Sequence, residues 1–289
     1  MKLIVQPRDG VKPLIDAITS AKKCIDIVIF RFDLPELEAS LEAAIKRGVA
    51  VHALIAHTSS SGDKKLRKLE NRLLADGATV ARTDDDMVRY HGKLLLIDKR
   101  TLFVLGFNCI SQDIRESRSL GVITKKPSIV REAIRLIRSD EDRSQTFRPS
   151  GSDLVISPEN ARDRLVRFIR KARSELLIYD TCLSDDEMLR ELKQRARAGV
   201  RIRILGQLEK KWRGKGLKVK ALNRRLHVRA MVRDGRRAFV GSQSLRRLEL
   251  DERREVGIII REGKIVKQIE RLFKSDWEKS SGGVRRESL

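Results

Sequence analysis

The stretch HGKLLLID, residues 91–98, recurs in related form as HVRAMVRD, residues 227–234. Successive side chains of an extended strand point to opposite faces, so His91 and Lys93 project to the same side. The apolar run behind them buries the strand that carries them. The pattern therefore predicts two strands, each presenting an imidazole and a cation on one face.

An internal repeat surrounds these two stretches. Residues 20–56 align with residues 171–207 at a shift of 151, whereas the two histidine stretches align at a shift of 136, so the first half contains 15 additional residues. Each copy is typical of a helix, a β-branched strand, an amphipathic helix that ends at glycine, and a second strand. The predicted fold class is therefore α/β, with two similar lobes from an internal duplication and mixed sheets flanked by helices. A pseudo-twofold axis is expected to relate the lobes, with one shared site between them.

The predicted boundary between the lobes lies in the polar segment 139–153, which contains a proline and a glycine. We assign residues 1–145 to the first lobe, with the complete H-x-K-x4-D pattern. Residues 150–280 form the second lobe, with the variant H-x-R-x4-D. Residues 281–289 are expected to be a flexible tail.

The composition favours a polyanionic partner. Lys and Arg outnumber Asp and Glu by 63 to 40, which gives a formal charge of +23 and a pI of about 10.4. Cys24, Cys109 and Cys182 form no C-x-x-C pair, so we predict neither a disulfide framework nor a metal, and no cofactor. No apolar run has the length of a signal peptide or a membrane span. We therefore expect a cytoplasmic protein that contacts anionic membrane surfaces peripherally.

The repeated residue types suit phosphodiester cleavage. Without a metal, this reaction needs a group that attacks phosphorus, a group that protonates the leaving oxygen, and positive charge for the other oxygens. Histidine serves either of the first two purposes, and Lys93 serves the third. Arg229 keeps the charge and binds phosphate in a bidentate manner, but it is bulkier than lysine and not interchangeable with it.

With one such motif in each half of a duplicated α/β chain, the sequence resembles the phospholipase D superfamily over nearly its whole length. The resemblance implies a two-step displacement through a phosphohistidine, without metal. It assigns the nucleophile to His91 and the general acid, then base, to His227. Asp98 and Asp234 match the motif, and since they close their strands, we expect a structural or orienting role for them.

The resemblance also implies supporting residues downstream of each motif. The family's G-S-x-N segment is divided between the halves, with Asn108 in the first and Ser242 and Ser244 in the second. Glu255 falls where the family often has an acid that holds a catalytic imidazole, and the matching first-half residue is Ser119. One such carboxylate would make the two histidines unequal.

For the other candidate residues, a structural or solvent-exposed role is weighed against a functional one. Tyr90 is expected either to shape the pocket or to pack in the core. His52 is expected to be structural. His57 lies at the C-terminal end of a predicted strand, where α/β sites tend to open, and the sequence leaves open whether it faces substrate. The acidic run 84–86 is expected to be a solvated loop. The stretch 208–237 has 12 Lys or Arg against 2 acidic residues, and is either a binding surface for nucleic acid or anionic lipid or a solvated face.

Three functions follow as hypotheses. The first is a phosphodiesterase that hydrolyses or transfers a phosphodiester, foremost the phosphatidyl group of a phospholipid. The second is a metal-independent nuclease on single-stranded nucleic acid, which the positive charge favours and the scarcity of aromatic residues disfavours. The third is a member without turnover that binds phosphate or polyanions.

Overall fold

The computed structural model describes residues 1–57, 63–83, 88–142, 147–212, 214 and 216–280. The predicted tail 281–289 and the acidic run 84–86 lie outside these residues. The elements of the first half are β1 (Lys2–Gln6), α1 (Lys12–Ser20), β2 (Cys24–Ile29), α2 (Pro35–Lys46), β3 (Ala50–Ile55), α3 (Asp63–Ala75), β4 (Thr79–Arg82), β5 (Arg89–Tyr90), β6 (Leu94–Ile97), β7 (Thr101–Leu105), α4 (Ser111–Arg115), β8 (Ser119–Thr124) and α5 (Pro127–Glu141). Those of the second half are β9 (Leu154–Ser157), α6 (Ala161–Arg170), β10 (Glu175–Leu183), α7 (Asp186–Arg197), β11 (Arg201–Leu208), β12 (Leu217–Lys220), β13 (Arg229–Arg233), β14 (Arg237–Gly241), α8 (Arg247–Asp251), β15 (Arg253–Ile260) and α9 (Gly263–Glu278).

Each half forms a mixed sheet, and the two sheets have the same strand order. The first runs β1-β8-β7-β6-β2-β3-β4, and the second runs β9-β15-β14-β13-β10-β11-β12. In both, the strand that follows the histidine, β6 or β13, is antiparallel to both of its neighbours. The predicted α/β class with two similar lobes is thus confirmed.

Helices cover the outer face of each sheet. Helix α1 packs against α2 in the first lobe, and α6 packs against α7 at the equivalent place in the second. Helix α3 accounts for the additional residues of the first half, because the described residues between β11 and β12 contain only a short 3-10 turn, Lys210–Trp212. In the described part of the chain, no helix combines the length and the apolar character that crossing a bilayer requires.

Strand β6 is buried on both faces. Leu94 and Leu96 point into a central core to which both sheets contribute, together with α5 and α9. Leu95 and Ile97 point the other way, into the core beneath the outer helices of the first lobe. Four consecutive apolar residues follow Lys93 because the strand lies between these two cores.

The lobes exchange short backbone segments at the histidines. Strand β5, which immediately precedes His91, pairs in parallel with the start of β15 in the other lobe, and the amide of His91 donates to the carbonyl of Arg254 at 2.7 Å. Reciprocally, the amide of His227 donates to the carbonyl of Arg118 at 3.0 Å. Arg118 and Arg254 are equivalent in the repeat, so the crossing obeys the pseudo-twofold symmetry.

Two crossed ion pairs reinforce this exchange. The Arg118 guanidinium in the first lobe binds Asp276 of α9 through two hydrogen bonds of 2.8 and 2.9 Å. Arg254 in the second lobe lies 3.0 Å from Asp140 of α5. All four residues are largely buried, and each arginine reaches the last helix of the opposite lobe. These contacts fix the relative position of the two backbone segments that carry the histidines, which lie just before β6 and β13 and not within a strand as the sequence predicted.

Candidate active site

The two predicted histidines meet at the junction of the lobes. Each imidazole follows a backbone segment that pairs with the opposite lobe, and both rings are largely buried. Lys93 contacts the carbonyl of His91 and Arg229 that of His227, and the positive charges of both cations lower the pKa of both rings. The structure therefore brings together the two halves of the repeated pattern.

Each imidazole faces a carboxylate from the opposite lobe. Nδ1 of His91 lies 2.8 Å from Oε2 of Glu255, in hydrogen-bonding geometry. Nδ1 of His227 lies 3.2 Å from Oδ2 of Asp113, but it does not meet the angular requirements of a hydrogen bond. Both carboxylates are fully buried. The Nδ1 atoms face these carboxylates, which leaves Nε2 of each ring for chemistry.

The two carboxylates differ in their surroundings. Burial raises the pKa of Glu255 to about 7 although Lys93 and Arg229 oppose the shift, and its Oε1 has no hydrogen-bond partner among the described residues. Asp113 instead accepts from Asn108 and from Arg225, at 2.7 Å in each case. Burial raises the pKa of Asp113, but His227 and these hydrogen bonds outweigh it and lower the pKa overall.

The two cations fold back in the same way. Nζ of Lys93 donates to the carbonyl of His91 at 2.6 Å, and Nη1 of Arg229 donates to the carbonyl of His227 at 3.3 Å. Both side chains are at least nine-tenths buried. Burial lowers the pKa of Lys93 to about 7.

Both imidazoles are held in the neutral form. Burial, reinforced by Lys93 and Arg229, lowers the pKa of each ring well below its usual value. A neutral ring with its Nδ1 proton directed at a carboxylate has a free lone pair on Nε2, which is the form that a nucleophile needs. A phosphodiester anion bound between the rings would favour protonation of one of them, which supplies a general acid.

The predicted residues of the G-S-x-N segments support this centre. The backbone and side-chain nitrogens of Asn108 bind Asp113, and Oδ1 of Asn108 is buried without a partner among the described residues. Oγ of Ser244 accepts from Nε of Arg229 at 3.1 Å. Ser242 is buried, exchanges hydrogen bonds with the backbone of Val256 next to Glu255, and lowers the pKa of Glu255 against the larger effect of burial.

The motif aspartates lie away from the histidines. Asp98 follows the far end of β6, five residues from Lys93, which corresponds to about 17 Å along a strand. Its carboxylate accepts from the backbone amides of Lys22, Lys23 and Cys24 at 2.7–3.1 Å. Asp234 binds the equivalent amides in the second lobe. Both aspartates have φ near +50°, in the tight turn after their strands, so their geometry fits the structural role and not contact with substrate.

Tyr90 does not orient the site through its hydroxyl. That hydroxyl donates to Asp140 of α5 at 2.8 Å, and the ring lies in the central core. These contacts agree with the packing interpretation of Tyr90, and its pocket-shaping role stays a prediction.

The remaining candidates lie outside this cluster. His52 is 3.6 Å from Asp26 and 3.4 Å from Glu141, in agreement with a structural role. His57 follows the end of β3, where its amide donates to Oγ1 of Thr83 at 2.9 Å, and its substrate-facing role stays a prediction.

The basic stretch 208–237 reaches the site through Arg225, which binds Asp113. In the same stretch, the ring centroid of Trp212 lies 3.5 Å from Nζ of Lys193. Residues 213 and 215 of this stretch lie outside the described part. Its role in binding nucleic acid or lipid stays a prediction.

Two site residues escaped the sequence interpretation, Asp113 and Arg225. Asp113 is on the short helix α4, and its repeat equivalent Glu249 is on α8, so the shift of 136 carried a signal for a second carboxylate. Glu249 also acts on His91, where it partly opposes the lowering of the pKa. Within the residues that the structure describes, no group of three or more histidine, cysteine or carboxylate side chains is arranged to hold a metal ion.

Fold and site together define a class of protein: a duplicated α/β chain in which two histidines, two cations and crossed carboxylates form one buried centre. The family described as "Cardiolipin synthase, PLD-like domain" matches residues 14–140 and 165–277, which is most of the chain. The chain therefore belongs to the phospholipase D superfamily, a family of phosphodiesterase-type enzymes.

Two curated relatives match part of the chain. The mitochondrial cardiolipin hydrolase of Homo sapiens is 27% identical over 118 residues, which is 41% of this chain and 45% of that protein. The mitochondrial cardiolipin hydrolase of Mus musculus is 25% identical over 118 residues, 41% of this chain and 52% of that protein. The chain thus spans about half the length of these relatives.

Two solved structures share the two-lobed fold. The polyphosphate kinase of Porphyromonas gingivalis superposes with a TM-score of 0.79 at 18% identity, over 96% of this chain and 47% of that one. The phosphatidylserine synthase of Haemophilus influenzae Rd KW20 superposes with a TM-score of 0.74 at 11% identity, over 97% of this chain and 86% of that one. At these identities the likeness concerns the fold.

Proposed function

We propose that this protein hydrolyses or transfers the phosphatidyl group of a phospholipid through a phosphohistidine intermediate. The observation that carries the proposal is the pair of buried neutral imidazoles, each beside a carboxylate of the opposite lobe, with the charges of Lys93 and Arg229 acting on both. The relatives named as cardiolipin hydrolases favour a phospholipid substrate.

In the first step, Nε2 of His91 attacks phosphorus and the bond from phosphorus to the leaving oxygen breaks. His227, protonated when the anionic substrate binds, gives its proton to that oxygen. The charge on the remaining phosphoryl oxygens is stabilised by Lys93 and Arg229. In the second step, His227 takes a proton from water or an alcohol, whose oxygen attacks phosphorus and breaks the bond to His91.

The contacts of the two rings support this division of roles. Glu255 hydrogen-bonds Nδ1 of His91 and has no other ionic partner within 4 Å in the described part of the chain, so it increases the basicity of Nε2. Asp113 shares its charge with Arg225 and Asn108, so it supports His227 less strongly. The better-supported ring is the better nucleophile.

Trapping of the intermediate tests the proposal. A phospholipid labelled with ³²P in the scissile group, incubated with His227→Ala in EDTA, is expected to leave acid-labile label on His91. The wild-type protein should turn the lipid over, and His91→Ala should neither turn over nor retain label. Label on His227 in the His91→Ala protein would reverse the two roles, and equal turnover by wild type and His91→Ala would refute the proposal.

The charge of +23 and the basic stretch 208–237 favour a second candidate, a nuclease on single-stranded nucleic acid. Single-stranded DNA in a parallel reaction tests it, because cleavage there and not of lipid would select the nuclease. Binding should then fall steeply with salt, since bound phosphates release counterions. Tight binding of either substrate without cleavage would select the polyanion-binding alternative.

A further inference from the structure

An arginine-rich wall lies beside His91. The Phe30 ring meets the His91 ring edge-on at 4.6 Å between centroids. The guanidinium carbons of Arg31 and Arg89 each lie 5.6 Å from the centroid of Phe30, and Nζ of Lys93 lies 5.2 Å from it. Both arginines are exposed, and neither has a carboxylate within 4 Å among the described residues. Two guanidinium groups that pair with no carboxylate of the described residues therefore flank the nucleophile's side of the site.

A third guanidinium, that of Arg253, adjoins the same wall. Arg253 is the registered partner of Arg89 where β15 pairs with β5, so the two residues are neighbours across the lobes. Burial lowers the pKa of Arg253 although Glu249 opposes the shift, and the charge of Arg89 lowers it further. Nη1 of Arg253 makes one long contact, 3.5 Å to Glu249, and its buried Nε has no hydrogen-bond partner in the part of the chain that the structure describes. Three cations held together with this little neutralisation repel one another unless an anion lies between them.

The second lobe does not repeat this wall. The repeat shifts place Thr181 and Cys182 where the first lobe has Phe30 and Arg31, and place Ser117 opposite Arg253. Arg225 is the equivalent of Arg89, but it binds Asp113 at 2.7 Å. The wall is thus a feature of the His91 side alone and not a consequence of the duplication.

We infer that Arg31, Arg89 and Arg253 form a subsite for a second phosphate of the substrate, a few bonds from the phosphodiester between the histidines. Guanidinium groups bind phosphate oxygens in pairs, and the exposure of Arg31 and Arg89 leaves their donors open to a ligand. The inference rests on the proposed function, because it takes the cleaved group to lie beside His91. Substrates with two phosphates are therefore preferred over those with one.

Matched substrate pairs test the subsite. One pair is thymidylyl-thymidine with and without a 5′-phosphate, and the other is diphosphatidylglycerol and phosphatidylglycerol in detergent micelles. In the Arg31→Gln/Arg89→Gln protein, the KM of a two-phosphate member should rise about tenfold or more, since charged hydrogen bonds are lost, while its one-phosphate partner stays within about twofold. The matched control is Arg100→Gln, an exposed arginine on the turn after β6, which should change neither.

The pair that responds identifies the source of the second phosphate, a nucleotide or a lipid. Equal KM changes within both pairs, or no change in either, overturns the subsite, while turnover of the lipid pair still supports the proposed function. Binding of the same four ligands to His91→Ala, with and without the arginine substitutions, gives a readout that needs no turnover. If wild type cuts none of them but the arginine substitutions weaken binding of a two-phosphate ligand about tenfold, the function fails and the subsite stands. If each of the four ligands binds His91→Ala with the same Kd with and without the arginine substitutions, the subsite is overturned.

Discussion

The hydrogen bond between Glu255 and His91 is the contact on which the proposed roles depend most. Glu255→Gln keeps the volume of a fully buried side chain and removes only the charge that faces Nδ1 at 2.8 Å. A hydrogen bond to a charged group contributes about 1.5–3 kcal/mol, and each 1.4 kcal/mol corresponds to about tenfold in rate. We therefore expect kcat to fall about 10- to 150-fold, with KM little changed, because the lost interaction strengthens as His91 gains positive charge.

The pH dependence provides a second, independent readout. The raised pKa of Glu255, about 7, means that the carboxyl is ionised above that pH and protonated below it. Protonated Glu255 no longer favours positive charge on His91, so wild-type kcat should decline as the pH falls through about 7. Glu255→Gln cannot titrate and should lack this acidic limb.

A chromogenic phosphodiester such as bis(p-nitrophenyl) phosphate gives both readouts, in EDTA and over a pH series. Asp98→Asn is the matched control, because its carboxylate lies at the far end of β6 and binds only backbone amides. Thermal unfolding of each protein establishes that the substitution leaves it folded. A Glu255→Gln protein with wild-type kcat and an unchanged acidic limb would refute the reasoning.

Three further predictions concern the cation, the lobe junction and the turn. In wild type, kcat/KM should decline as the pH rises through about 7, because Lys93, whose pKa is about 7, loses its charge. Lys93→Arg should abolish this decline, since a guanidinium keeps its charge, and an unchanged alkaline limb in the pH–rate profile would contradict the prediction. Arg118→Leu should lower the free energy of unfolding by about 3–5 kcal/mol, since it removes the cationic partner of the buried Asp276. Urea denaturation measures this loss, which should be larger than the loss for the control Arg100→Gln at an exposed position. Asp98→Asn should cost about 1–3 kcal/mol of stability through its backbone amides while kcat stays within twofold, and a large drop in kcat with full stability would return Asp98 to the catalytic set.

The sequence was most informative where the same motif occurs in both copies of the repeat. A single H-x-K-x4-D match is weak, but two copies at equivalent places predicted both lobes, both histidines and both cations. The alternation of side chains was equally readable, since His91 and Lys93, just before β6, face the site and the four residues of β6 enter two cores in turn. These features depend on local periodicity and on the duplication, which a single chain records directly.

The roles of other residues could not be read from the sequence because their partners are distant in it. For Tyr90 the sequence left a pocket-shaping and a packing role open, and the contact of its hydroxyl with Asp140 in α5 agrees with packing. Asp113 and Arg225 were missed because they act on His227 only after α4 and the segment before β13 are brought together across the lobes. Neither short-range pattern nor residue type distinguishes such residues from ordinary surface charges.

The sequence by itself determined the duplication, the α/β class and the residue types of the centre, because strand periodicity and repeat spacing are local properties of the chain. The tertiary structure alone decided which carboxylate faces which histidine, since β5 and β15 cross between lobes and place Glu255 beside His91. It also decided the ionisation of the centre, where burial lowers the pKa of both imidazoles and of Lys93. Desolvation depends on everything that packs around a group, and that quantity exists only in the folded chain.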